Sequence, residues 1–214
     1  MQGEIFEKYF SDGLNVEVPR LHVGVTLHPV EEVFLDDLVT QPQYTDLFKN
    51  RTQRLALESS VNTFNRGKAH PALRDEIVRL AIELIVGTVR VGEACLVFIG
   101  GMADIDEMYE ALQTAFDALE MAAGGMKVPC DILVCHSLLP LDETLKVMQP
   151  NPDAVRVILA TAMAESSVTL PAVTYVIDFG FHKRIEYEQR EHRTVLKPTW
   201  ISKASAQQRK GRTG

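Results

Sequence analysis

Four short apolar runs, set apart by stretches with helical spacing, constrain what this chain can fold into more than any other feature. Ala94–Ile99 (ACLVFI), Ile132–His136 (ILVCH), Val155–Ala160 (VRVILA) and Val173–Asp178 (VTYVID) are near-continuously apolar and too short for helices. Runs of this kind fit strands buried on both faces of a parallel sheet. Between them, Pro71–Val89 and Ala103–Ala123 carry apolar residues at helical spacing, among them Ile77, Leu80 and Leu84 in the first and Ile105, Met108, Leu112 and Phe116 in the second. Strands alternating with helices predict βαβ units and an α/β domain whose mostly parallel sheet is flanked by helices. Gly124-Gly125 followed by Pro129 predicts the stop of the second helix. Residues 14–35 hold short β-rich segments punctuated by Pro19 and Pro29, which predict an extended lead-in over about 1–40. Thr40–Ala69 is polar and reads as partly helical.

At 214 residues, with 46% apolar and 24% charged, the chain fits one globular domain spanning 1–214. No apolar run reaches the ~18 residues of a membrane span, and MQGEIFEKYF has acids where a signal peptide has a basic start. The expectation is a soluble, intracellular protein with no membrane partner. Cys95, Cys130 and Cys135 are too few for a disulfide framework and read as reduced, structural thiols. The net charge of −7 speaks against general nucleic-acid affinity, yet residues 182–212 hold nine Lys/Arg against three acids, a net of +6 that leaves −13 on the 181 residues before them.

The basic end carries the strongest chemistry. In SKASAQQRKGRTG, Ser202 is placed to cap a helix on which Gln208, Arg209, Lys210 and Arg212 follow. A Gln and several fork-shaped guanidinium groups around Gly211 match phosphate oxygens, whereas a basic cluster alone is more often solvated surface. Upstream, the run Val155–Ala160 opens into Thr161, Glu165, Ser166, Ser167 and Thr169, and open α/β sheets bind ligands beyond such strand ends, although a capped turn has the same composition. Gly100-Gly101 after ACLVFI, and His136-Ser137 after ILVC, are either plain turn and structural residues or backbone contacts for a phosphate.

Together these segments resemble the DEAH-box, RNA helicase A-like group of superfamily 2 ATP-dependent RNA helicases, and the resemblance covers the second RecA-like domain only. QRKGRTG at 208–214, preceded by WISKASAQ, resembles motif VI; VRVILATAMAESSVTLPAV at 155–173 resembles motif V; ACLVFIGG resembles motif IV; and MQGEIFEKYF with VPR and HPVEEVFLDDL resembles the segment C-terminal to motif III. The resemblance implies that Arg212 is an arginine finger acting in trans, that Gln208, Arg209, Arg212, Ser167, Thr169 and Met148 face the nucleotide, and that Gly100, Gly101, His136, Ser137 and Thr161 contact RNA. Ala162 stands where the family has Asn, Ser166 where it has Thr, and Met148 where it has an adenine-stacking Phe.

No GxxxxGK[ST] loop and no DEAH box occur in the chain, and the last Arg of the family motif is not among its 214 residues. The resemblance therefore implies one domain of a longer helicase, with ATP and Mg²⁺ used by the whole enzyme, RNA and a first RecA-like domain as partners, a protein activator as a further one, and no hydrolysis by this chain alone. Two rival readings are an RNA-binding module in a protein that no longer hydrolyses ATP, and an unrelated flavodoxin-like binding domain, which would not require QRKGRTG.

Overall fold

The computed structural model describes residues 3–19, 28–45, 55, 58–59, 75–136, 140–165, 170–189 and 191–213. In chain order its elements are α1 (Gly3–Leu14), α2 (Leu35–Thr40), α3 (Pro42–Thr45), α4 (Asp75–Thr88), β1 (Ala94–Phe98), α5 (Met102–Ala122), β2 (Cys130–Cys135), α6 (Leu141–Met148), β3 (Val155–Ala160), a 3-10 turn (Ala162–Glu165), β4 (Val173–Asp178), β5 (Phe181–Glu188), β6 (Arg193–Trp200) and α7 (Lys203–Lys210).

The four apolar runs form one parallel sheet in the order β2-β3-β1-β4, and β5 and β6 form a separate antiparallel pair. This is the α/β architecture with a mostly parallel sheet that the alternation predicts. The two central strands are buried at every position, which is why their sequences show no polar alternation. On one face, Cys95, Val97, Val157 and Leu159 pack against Val78, Ala81 and Ile85 of α4 and Ile105, Met108 and Leu112 of α5. On the other, Leu96, Phe98, Ile158 and Ala160 pack against Val147 of α6 and Ala164 of the 3-10 turn. Each such side chain contributes about 1.5–3 kcal/mol by leaving water, so the two layers fix the strand ends from which candidate site residues project.

The helix stop falls where expected, since α5 ends at Ala122 and Gly124 and Gly125 adopt φ of +70° and +86°. Burial pushes the Cys95 thiol up to about 12, and burial together with neighbouring Asp131 does the same for Cys130. All three cysteines are free thiols. No described helix is long and apolar enough to cross a membrane.

The lead-in differs from expectation. Residues 3–14 are helical rather than extended, because Ile5, Phe6, Tyr9 and Phe10 follow helical spacing. Their side chains are exposed, and the Tyr9 and Phe10 rings meet edge to face at 5.3 Å. Among the described residues before α2 begins at Leu35, 15–19 and 28–34 run without regular structure. Most of 46–69 lies outside the described residues.

Candidate functional site

Four RNA-contact candidates fall side by side because the sheet is parallel and in register. Cys135 pairs with Ala160, and Ala160 with Phe98, so His136, Thr161 and Gly100-Gly101 follow neighbouring strands at one edge, where strands lie ~4.8 Å apart. Thr161 N donates to Cys135 O at 3.3 Å, which ties the ends of β3 and β2 together. Ser137 lies outside the described residues.

The two glycines have a packing reason of their own. Both are buried. A Cβ on Gly100 would stand 2.2 Å from the Phe181 ring, and one on Gly101 would stand 2.9 Å from Lys183 Cδ. The root of β5 takes that space, and Lys183 pairs with Asp104 of α5 at 2.8 Å. The close approach of strand and turn thus requires glycine at both positions.

Most nucleotide-facing candidates cluster on the sheet face covered by α6, the 3-10 turn and α7. Ser202 caps α7 as its sequence predicts, its Oγ accepting from Ser205 N at 3.1 Å. Gln208 is exposed and Arg212 half-buried, whereas Arg209 has no exposed surface. Arg209 Nε donates to Glu165 Oε2 at 3.2 Å, its Nη1 donates to Asp178 Oδ1 at 2.8 Å, and the guanidinium lies 4.8 Å from the Phe98 ring centroid. Two donors of the fork that suits phosphate are here engaged by carboxylates of its own domain. Glu165 and Asp178, not singled out from sequence as its partners, complete the joint. The signals available were the acid ending the 3-10 segment and the acid closing VTYVID.

Arg212 sits in the turn between two anchors. Its N–H donates to Arg209 O at 3.1 Å, and Thr213 Oγ1 donates to the carbonyls of Val173 and Thr174 at 3.0 Å each. One anchor is thus at the end of β4 and the other at its start. Lys210 reaches Glu32 of the lead-in.

Met148 ends α6 and is 38% exposed, enough to offer its thioether to a flat ligand. Arg156, buried at the start of β3, fixes that helix end by donating from Nη2 to Lys146 O at 3.0 Å and Val147 O at 3.4 Å. Ser167 and Thr169 lie outside the described residues. Among the described residues no group of three or more His, Cys, Asp or Glu is placed to hold a metal ion.

The parallel sheet is thus closed by α7, which exposes Gln208, with Arg212 in the turn that follows. The helicase conserved C-terminal domain family matches residues 76–214, and the chain belongs to that family. It is 30% identical to zinc finger CCCH domain-containing protein 4 of Oryza sativa subsp. japonica, over 98% of this chain and 20% of the relative. It is 29% identical to the DExH-box ATP-dependent RNA helicase DExH3 of Arabidopsis thaliana, over 100% of this chain and 20% of the relative. The chain thus spans about a fifth of these relatives. The crystal structure of the E. coli DExH-box NTPase HrpB shares the fold, with a TM-score of 0.56 and 24% identity over 68% of this chain and 17% of that one.

Proposed function

We propose that this chain is the second RecA-like domain of an ATP-dependent RNA helicase, giving half of an interdomain ATP site and one wall of an RNA track. The observation that carries the reading is the bracket around Arg212. Buried Arg209 and Thr213, whose one hydroxyl proton is shared between two carbonyls, hold the turn at both ends of β4, so the Arg212 guanidinium is presented from a fixed backbone. A preorganised cation of this kind stabilises charge that develops as a phosphoryl group transfers, while contributing little to the ground state.

Gln208 offers an amide from the exposed side of the same helix, and Met148 packs against the base. The resemblance adds Ser167 and Thr169 to the nucleotide side. The first RecA-like domain holds ATP and Mg²⁺ and positions the attacking water; RNA phosphates run along the sheet edge at His136 and Thr161, with Ser137 added by the resemblance. ATP is the substrate of the whole enzyme, in a compartment inside the cell, and a protein activator is a further partner of it.

The test is hydrolysis of ATP by the longer enzyme and by this chain alone, each with and without single-stranded RNA. The expected result is RNA-stimulated turnover by the longer enzyme, on the ~1 s⁻¹ scale or above, and background rates for this chain. Turnover by the chain alone would overturn the half-site reading, and RNA binding without hydrolysis by the longer enzyme would support the rival RNA-binding module.

A further inference from the structure

The four-stranded sheet ends in β4 on one side and β2 on the other, and the two are treated differently. α7 packs against β4, and Thr213 Oγ1 donates to the carbonyls of Val173 and Thr174. β2 (CDILVC) has no Pro, no Lys and no shift in its register to β3. Proline, lysine and bulges are the usual guards of a sheet edge, because an open edge pairs with any extended chain that reaches it.

The backbone of β2 alternates between β3 and the open side. Val155 N donates to Pro129 O at 2.8 Å and Thr161 N to Cys135 O at 3.3 Å, one at each end of the strand. The evenly spaced ladder of a parallel pair then turns residues 129, 131, 133 and 135 toward β3. The N–H and C=O groups of Cys130, Ile132 and Val134 point the other way, and no hydrogen bond to them is made among the described residues. Asp131, the one charge of the strand, is drawn aside, its Oδ2 accepting from Asn151 Nδ2 at 2.7 Å.

The flanks decide what this edge selects. α5 and α6 pack on opposite faces of β2. Residues 102–148, which hold both helices and the strand, carry nine acids against two lysines, a net of −7. α5 alone has six acids and no Lys or Arg, and its Asp106, Glu107, Glu110 and Asp117 are exposed. Asp106 and Glu110 stand four positions apart, a spacing at which like charges repel, so a cation brought to this face relieves a cost that the fold leaves standing. RNA, a polyanion, is repelled here, and a second copy of the chain brings the same −7 with it.

We propose that the β2 edge docks an extended segment of a protein partner in which Lys or Arg alternates with apolar residues. The segment adds a fifth strand to the sheet, its main chain pairing with Cys130, Ile132 and Val134. Its cations lie on the α5 face, and its apolar side chains on the α6 face beside half-buried Leu133. The inference stands on the sheet edge and its flanks, and is independent of the proposed function.

The experiment titrates a short synthetic peptide of alternating Val and Lys onto this chain and follows amide hydrogen exchange. The peptide should slow exchange at Cys130, Ile132 and Val134, and leave Asp131, Leu133 and Cys135, already bonded to β3, unchanged. The same peptide N-methylated throughout keeps its charge and should lose binding. Reversing two exposed acids of α5 together, Glu110→Lys with Asp117→Lys, should weaken the peptide about tenfold, with the melting temperature near wild type.

Saturating peptide that leaves those three amides exchanging freely overturns the inference. Equal binding of the N-methylated peptide does so too, because attraction of charge alone would then explain the contact. Protection that grows with chain concentration in the absence of peptide would assign the edge to a second copy, and the same protection by an RNA oligonucleotide would assign it to nucleic acid; either result refutes the basic protein segment.

Discussion

Arg156 and Arg209 are buried to nearly the same degree, at 2% and 0% exposure, but they stand at opposite ends of the sheet and are compensated in different ways. Arg156, where β3 begins, donates to two neutral carbonyls at the end of α6, while its Nε and Nη1 find no partner among the described residues. Its pKa is lowered by burial, with Asp131 opposing. Arg209, near the end of β4, has two carboxylates and an aromatic face. The difference separates two uses of a buried guanidinium. One caps a helix whose unpaired carbonyls already attract a cation, and the other joins three segments, the 3-10 turn, β4 and α7, through one guanidinium.

The largest effect should come from breaking the charged joint. Arg209→Met leaves Glu165 and Asp178 facing each other without a cation, and removing one partner of a buried ion pair costs about 3–5 kcal/mol. In a domain of this size the melting temperature should fall by roughly 10 °C. Equilibrium urea unfolding and a thermal melt of the purified domain give both numbers, and a loss near zero would mean that α7 is held by other contacts.

Arg156→Met should cost less, about 1–2 kcal/mol, because it strips donors from two carbonyls at a helix end and leaves no like charges pressed together. It keeps apolar bulk under α6. The same urea titration orders the two variants, and a larger loss for Arg156→Met than for Arg209→Met would reverse the comparison.

Part of this was legible in the sequence and part was not, for physical reasons. β3 and β4 fall at their expected boundaries and β1 ends one residue early, because burial on both faces leaves an uninterrupted apolar signal that few other arrangements produce. The Ser202 cap was legible because its chemistry is local. The β5–β6 hairpin was not: Ile185 and Leu196 pair across it yet remain 70% and 59% exposed, while Arg184 and Lys197 pair on the opposite side, so the segment reads as a basic tail. α6 escaped because its eight residues are too few to establish a period. Arg209 could not be separated from Arg212 by residue type. What distinguishes them is Asp178 and Glu165, 31 and 44 positions away, and only the fold brings those acids to one guanidinium.

The most direct test of the account uses the other arginine of that helix end. In the longer enzyme, with saturating ATP and RNA, Arg212→Ala should lower kcat on the order of 10³-fold. KM for ATP should change far less, because the contact forms mainly in the transition state. Arg212→Lys should not restore the rate, since a point charge lacks the planar fork. Lys210→Ala, which removes only the contact to half-exposed Glu32, should turn over nearly as wild type. A near-normal kcat for Arg212→Ala, with turnover lost in Lys210→Ala, would contradict the assignment of roles along this helix and the half-site built on it.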